Sequence, residues 1–298
     1  MTRVKARFLC ETVSGDGHGT GVTRRGFLKA TAVLGIAAEA GLTADGVGGA
    51  PTPNEMPTIR LGDFRVSRLI LGSNPFWGYW HKNPRKPQDY TQTARKSVLD
   101  AAANVGITAV WTPAYREWID LWCDYKEHGG ELPTWIGQPD GYRGVSVEDQ
   151  ITACYQNGGK AVCVQGANVD SAIEKQQYDK LRKWLDLIKG YGLPAGLASH
   201  RPACILKAQE LGLPADFYHL TLGIPDGFAG PDRDKTLDTV KQIDKPMVVF
   251  KVLGAGRFAP KEAFPYVLRP IRRKDGVCVG VDNPGQLAEN AALVRSLT

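Results

Sequence analysis

The feature that most constrains the fold is a repeated alternation. From about residue 58 onward, short β-branched runs bounded by Gly, Pro or Asp take turns with longer amphipathic stretches. The runs cover 68–72, 108–111, 134–137, 161–164, 195–198, 216–221, 247–251 and 276–280. They are short and mainly apolar, as strands buried on both faces should be. Between and after them lie helical patterns over 91–105, 116–128, 147–157, 172–190, 202–211, 234–243, 261–271 and 284–296. Trp184, Leu185 and Ile188, for example, share one helix face. Residues 59–66 predict an opening hairpin that turns at Gly62-Asp63. Eight strands alternating with eight helices over about 240 residues predict an α/β fold of the closed (β/α)8 TIM-barrel type. An open doubly wound sheet would instead need a G-x-G-x-x-G turn after its first strand; Gly254-Ala255-Gly256-Arg257 comes late and is incomplete. The predicted domain is a single barrel over 58–298, preceded by a Gly-, Thr- and Pro-rich flexible linker over 41–57.

Ahead of the linker, Thr23-Arg24-Arg25-Gly26-Phe27-Leu28-Lys29 matches the twin-arginine export motif. An apolar stretch, 30–38, and a small-residue site, Ala38-Glu39-Ala40, follow it. The order predicts a signal peptide over 1–40, a periplasmic or otherwise exported protein, and the twin-arginine translocase as a partner during export. The formal charge of +6 owes much to this leader; the remainder carries 31 basic and 28 acidic side chains, a net of +3. No basic run interleaved with aromatics remains, which argues against nucleic acid. The longest apolar runs fall short of the roughly 18 residues a membrane span needs. A chain that is 43% apolar is not a disordered one. Cysteines 10, 123, 154, 163, 204 and 278 form no C-x-x-C pair, so they read as small apolar residues rather than a zinc-thiolate cluster.

In a barrel of this type the chemistry sits in the loops that follow the strands. Those loops hold His81, Tyr115, Asp140, Gln165 to Asp170, Ser199-His200, and Asp282-Asn283, while the strands themselves contribute His219 and Lys251. Apolar walls with a few convergent polar groups predict a small-molecule site. Phe76-Trp77-Gly78-Tyr79-Trp80 reads either as a packing plug or as a sugar-stacking platform. The candidate catalytic residues are His200, His219 and Lys251, with His81 and Tyr115. The first three belong to consecutive strands, so their heads are expected to line one sector of the mouth. At least one histidine there should be neutral near pH 7. In the alternative, Lys251 pairs with Asp282 while the histidines cap loops.

The C-terminal quarter resembles the aldo/keto reductases. Residues 245–257, from Lys245-Pro246-Met247 to Gly256-Arg257, are similar to that family's seventh strand and loop. Residues 278–290, from Cys278-Val279-Gly280 to Glu289-Asn290, are similar to its eighth strand and following helix. The resemblance implies an NADP(H) or NAD(H) cofactor, with Phe250 against the nicotinamide and Glu289 and Asn290 at the adenosine phosphate. Gly254, Gly256, Arg257 and Asn283 are expected to form its anion site, through backbone N–H groups and a helix N-terminus. Gly196-Leu197-Ala198-Ser199-His200 resembles the segment that holds the carboxamide, with His200 in place of Asn.

The departures concern the reactive groups. Family reductases use an Asp, Tyr, Lys and His set; here Trp111, Gln138 and Gln165 stand at three of those positions, and Tyr115 lies near the fourth. Three readings follow. The first is an enzyme that keeps the dinucleotide groove with altered proton chemistry on a small carbonyl or sugar. The second is a metal-assisted sugar isomerase, epimerase or lyase, its divalent ion held by His200, His219 and Asp170 or Asp140. The third is a non-catalytic periplasmic ligand-binding barrel.

Overall fold

The structure is a computed structural model that describes residues 55–78, 90–224 and 233–298. The leader, the linker up to residue 54, and His81, Tyr79 and Trp80 lie outside the described residues. The chain opens with an antiparallel hairpin, β1 (Thr58–Leu61) and β2 (Phe64–Ser67), turning at Gly62. The barrel strands are β3 (Leu69–Gly72), β4 (Ala109–Thr112), β5 (Thr134–Gly137), β6 (Ala161–Val164), β7 (Ala195–Ser199), β8 (Phe217–Thr221), β9 (Met247–Phe250) and β10 (Gly276–Gly280). All neighbours pair in parallel, and β10 returns to β3 to close the ring. The helices outside are α1 (Gln92–Asn104), α2 (Arg116–Glu127), α3 (Val147–Gln156), α4 (Gly166–Glu174), α5 (Tyr178–Gly190), α6 (Pro202–Glu210), α7 (Arg233–Gln242), α8 (Pro260–Leu268) and α9 (Pro284–Ser296). No helix among the described residues is long and apolar enough to cross a membrane.

Strand parity splits the buried residues into two sets. Ile70, Trp111, Ile136, Cys163, Ala198, Phe217, Val248 and Cys278 fill the barrel interior, where Ile59, Leu61 and Val66 of the hairpin join them and plug one end. Leu71, Val110, Trp135, Val164, Leu197, Tyr218 and Val249 face the helices. Alternate residues of a closed barrel must divide in this way. The interior is tight: a Cβ on Gly196 would stand 2.4 Å from the Phe217 ring.

One expected helix is two. The 172–190 pattern breaks at Gln176, whose φ is +55°, and α4 begins directly after β6 instead of a long loop. The Gln165 side chain caps it, accepting from Ala167 N and Asn168 N at 2.9 and 3.2 Å. The five cysteines among the described residues are all free thiols, and Cys154, Cys163, Cys204 and Cys278 are buried. Phe76 and Trp77 are buried in the helix layer, with Trp77 edge-on to Tyr115, so these two act as packing rather than as a sugar platform.

Candidate active site

A cavity of about 260 Å3 opens at the carboxyl ends of the strands. His200, His219 and Lys251 all line it, together with Ser73, Asn74, Trp111, Gln138, Gln165 and Phe250. His200 follows β7 and meets Asp170, which α4 presents from the preceding unit. Its Nδ1 lies 2.9 Å from Asp170 Oδ2, and its backbone N–H donates to the same oxygen at 3.1 Å. The Ser199 hydroxyl donates to Oδ1 at 2.5 Å. Burial alone would raise the Asp170 carboxyl, but the hydrogen bonds from His200 and Ser199 outweigh it and hold the group below the usual carboxylate range. Nδ1–H therefore donates to a carboxylate, and Nε2 is the ring nitrogen left for a ligand.

His219 is built differently. Its ring lies between Trp111 and Phe250, with centroids 4.1 and 4.4 Å away and planes 21° and 13° apart. Its Nδ1 is buried without a hydrogen-bond partner. Burial pushes the imidazole down to about 3; the Val248 backbone opposes this, and the nearby His200 adds to it. His219 is thus a neutral ring in an aromatic slab that floors the cavity, and the edge of His200 rests against Phe250 beside it.

Lys251 directly follows β9 with a left-handed φ of +61°, and Gly254, Ala255 and Gly256 come after it with φ of +52°, +55° and +83°. A lysine in this region costs of order 1 kcal/mol or more, sustained here by the surrounding turn hydrogen bonds such as Gly254 N to Lys251 O at 2.9 Å. Of the expected cofactor residues, Phe250 and Gly256 line the cavity. Gly254, Arg257, Asn283, Glu289 and Asn290 do not. The Arg257 guanidinium folds back onto Gly254 O at 3.1 Å, because the tight turn brings its own carbonyl within reach. Asn283 is the cap residue of α9 and is exposed, as is Glu289, whereas Asn290 is buried with its Oδ1 unpartnered.

Tyr115 is outside the cavity lining. Its hydroxyl donates to Asp140, its ring packs edge-on against Trp77, and Arg143 covers it at 4.2 Å. The cap position of α2 directs the ring into the core rather than the mouth. The arrangement does not support the metal reading. Asp170 spends both oxygens on Ser199 and His200, and Asp140 is bound by Tyr115, Tyr142 N and Gln150. Among the described residues no group of three His, Cys, Asp or Glu side chains could hold a metal ion. Asp282 accepts a hydrogen bond from Tyr90.

The sequence places Ser199 and Gly166 in the segments at the strand ends but does not show how they support His200. Ser199 secures Asp170, and Gly166 gives the His200 ring its space. The only local signal was their adjacency to Gln165 and His200.

Fold and cavity together define a (β/α)8 barrel with a cavity at its mouth. No protein-family model matches the chain, and no curated protein does. Solved structures do match. A proposed aldo-keto reductase from Pseudomonas aeruginosa superposes with a TM-score of 0.60 at 18% identity, covering 84% of this chain and 99% of that one. An aldo-keto reductase from Bacillus halodurans in its holo form gives 0.57 at 13% identity, covering 80% and 91%. A phospho-2-dehydro-3-deoxyheptonate aldolase from Thermotoga maritima gives 0.54 at 13%, covering 82% and 73%. At these identities the likeness shows the fold alone, a (β/α)8 barrel that the reductases and the aldolase share, and leaves the chemistry to the site.

Proposed function

We propose that the protein is an exported enzyme acting on a small carbonyl- or sugar-type substrate in the barrel mouth, with His200 as its proton-transfer group. The observation that carries this reading is the Asp170–His200 pair in the cavity wall. With Nδ1–H directed at the carboxylate, Nε2 is a base, and the carboxylate stabilises the imidazolium that proton transfer creates. Such a group takes a proton from a substrate hydroxyl or returns one to a carbonyl oxygen. It stands in for the Asp, Tyr, Lys and His set of the family reductases, of which Trp111, Gln138 and Gln165 offer no titratable equivalent. Lys251 adds positive charge suited to a developing oxyanion.

NADP(H) or NAD(H) is the cofactor this reading takes, on the resemblance of residues 245–257 and 278–290. Of the residues that resemblance assigns to it, Phe250 and Gly256 line the cavity. When bound, the nicotinamide would supply the hydride donor or acceptor. The test is fluorescence titration with NADPH and NADH, followed by a turnover screen over aldoses, ketoses and polyols. His200→Gln should cut turnover about 10²- to 10⁴-fold, the usual contribution of a positioned acid or base. Sugar binding without turnover on any substrate would overturn the enzyme reading in favour of a binding barrel. The twin-arginine motif supports export: changing Arg24 and Arg25 to Lys should retain the protein in the cytoplasm, and normal export of that variant would refute the assignment.

A further inference from the structure

The Asp170–His200 pair is held from two sides, by Ser199 behind the carboxylate and by Gly166 against the ring. Both carboxylate oxygens are committed: Oδ1 to the Ser199 hydroxyl, Oδ2 to the His200 backbone N–H and ring Nδ1. Ser199 is fully buried, and its oxygen accepts from Arg201 N at 2.9 Å; of the two acceptors within reach of its proton, Arg201 O at 2.8 Å and the carboxylate at 2.5 Å, the carboxylate is the nearer and the charge-assisted one. Asp170 therefore cannot turn without breaking a second bond.

The other side is Gly166, the first residue of α4. Its backbone is helical, and in a helix alanine is the better residue, so the backbone does not require glycine here. The surroundings do. A Cβ at this position would stand 2.9 Å from His200 Cε1 and 3.1 Å from Nδ1, closer than a methyl group can lie. The helix start cannot back away, because Gln165 caps it and the Asn168 side chain ties it to Asp140 O at 2.7 Å.

We propose that Gly166 and Ser199 are positioning residues that fix His200 in the Nδ1-protonated tautomer, with Nε2 presented to the cavity. This rests on the reading of His200 as the proton-transfer group. Ser199 locks the carboxylate that selects the tautomer, and Gly166 provides the hydrogen-sized gap against which the ring lies.

Side-chain 15N NMR of the full chain at neutral pH tests the tautomer directly. The sequence has only five histidines, and the His200 signals are those lost in His200→Gln. The wild type should show Nδ1 protonated and Nε2 bare. Ser199→Ala should add an Nε2-protonated fraction, and Gly166→Ala should shift the ring signals although its thermal stability stays near that of the wild type. On a substrate found by the turnover screen, each variant should lose at least tenfold in kcat with KM within twofold, and Ser199→Thr, which keeps the hydroxyl, should recover most of it. Wild-type tautomer signals in both Ser199→Ala and Gly166→Ala would overturn the inference by themselves. If His200→Gln abolishes turnover while the two variants keep kcat, positioning falls and the base stands. If His200→Gln leaves turnover intact, the base assignment falls first.

Discussion

Protonating His219 should unfold the barrel from within, and the size of the effect can be worked out. The ring is 5% exposed and stacked on both faces, and its Nδ1 has no hydrogen-bond partner. Its folded value near 3 lies below the roughly 6.5 of an unfolded histidine. Between those values the unfolded chain binds a proton that the folded one refuses. The stabilisation is therefore complete above about pH 6.5 and is lost as the pH falls toward 3, by about 1.4 kcal/mol per pH unit. From pH 7.5 to 5.0 this amounts to about 2 kcal/mol. His219→Phe keeps a ring in the stack and removes the titration. Urea unfolding of both proteins at a series of pH values isolates the term, because every other titrating group cancels in the difference. The wild type should lose about 2 kcal/mol more than the variant over that interval. Parallel pH curves would refute the reasoning.

Three further outcomes concern stability and packing. Asp170→Ala strands the His200 backbone N–H and ring Nδ1–H, while the Ser199 hydroxyl keeps Arg201 O as an acceptor at 2.8 Å; with the His200 side chain 36% exposed, the loss should be about 2–3 kcal/mol by urea unfolding, below the range for fully buried pairs. Arg272→Ala leaves Asp275 buried without its guanidinium and removes donors from the Ile243 and Lys245 carbonyls. That should cost about 3–5 kcal/mol, and a thermal melt close to wild type would contradict it. Gly196→Ala drives a methyl into the Phe217 ring and should cost about 1–3 kcal/mol; pairing it with Phe217→Leu should recover part of the loss, and strict additivity in that cycle would show that the two positions do not meet.

Much of the architecture is written locally. A strand buried on both faces should be mainly apolar, and a helix on the outside must carry its stripe every three to four residues; both patterns survive in any short window of this chain. So the eight barrel strands, the hairpin turn at Gly62 and the buried face of Trp184, Leu185 and Ile188 were legible. The break at Gln176 was not, because neither neighbouring residue type marks a left-handed turn and the stripe runs on through it. The cavity membership of His200, His219 and Lys251 followed from their place on consecutive strands, since parity and strand end decide which residues reach the mouth.

What those side chains do there was settled only by closure of the barrel. Asp170 and His200 are thirty positions apart on successive units, and no local pattern says that α4 starts early enough to bring a carboxylate against the imidazole rather than toward a metal. Tyr115 was drawn away by Asp140, and Arg257 by the carbonyl of its own turn. His219 became neutral because the ring of β4 and the ring of β9 happen to lie on either side of it across the staggered strands. The sequence determines which faces are buried, because burial is a property of each residue and its near neighbours. Which buried groups touch is a property of register and stagger around the whole ring, and only the tertiary structure fixes it.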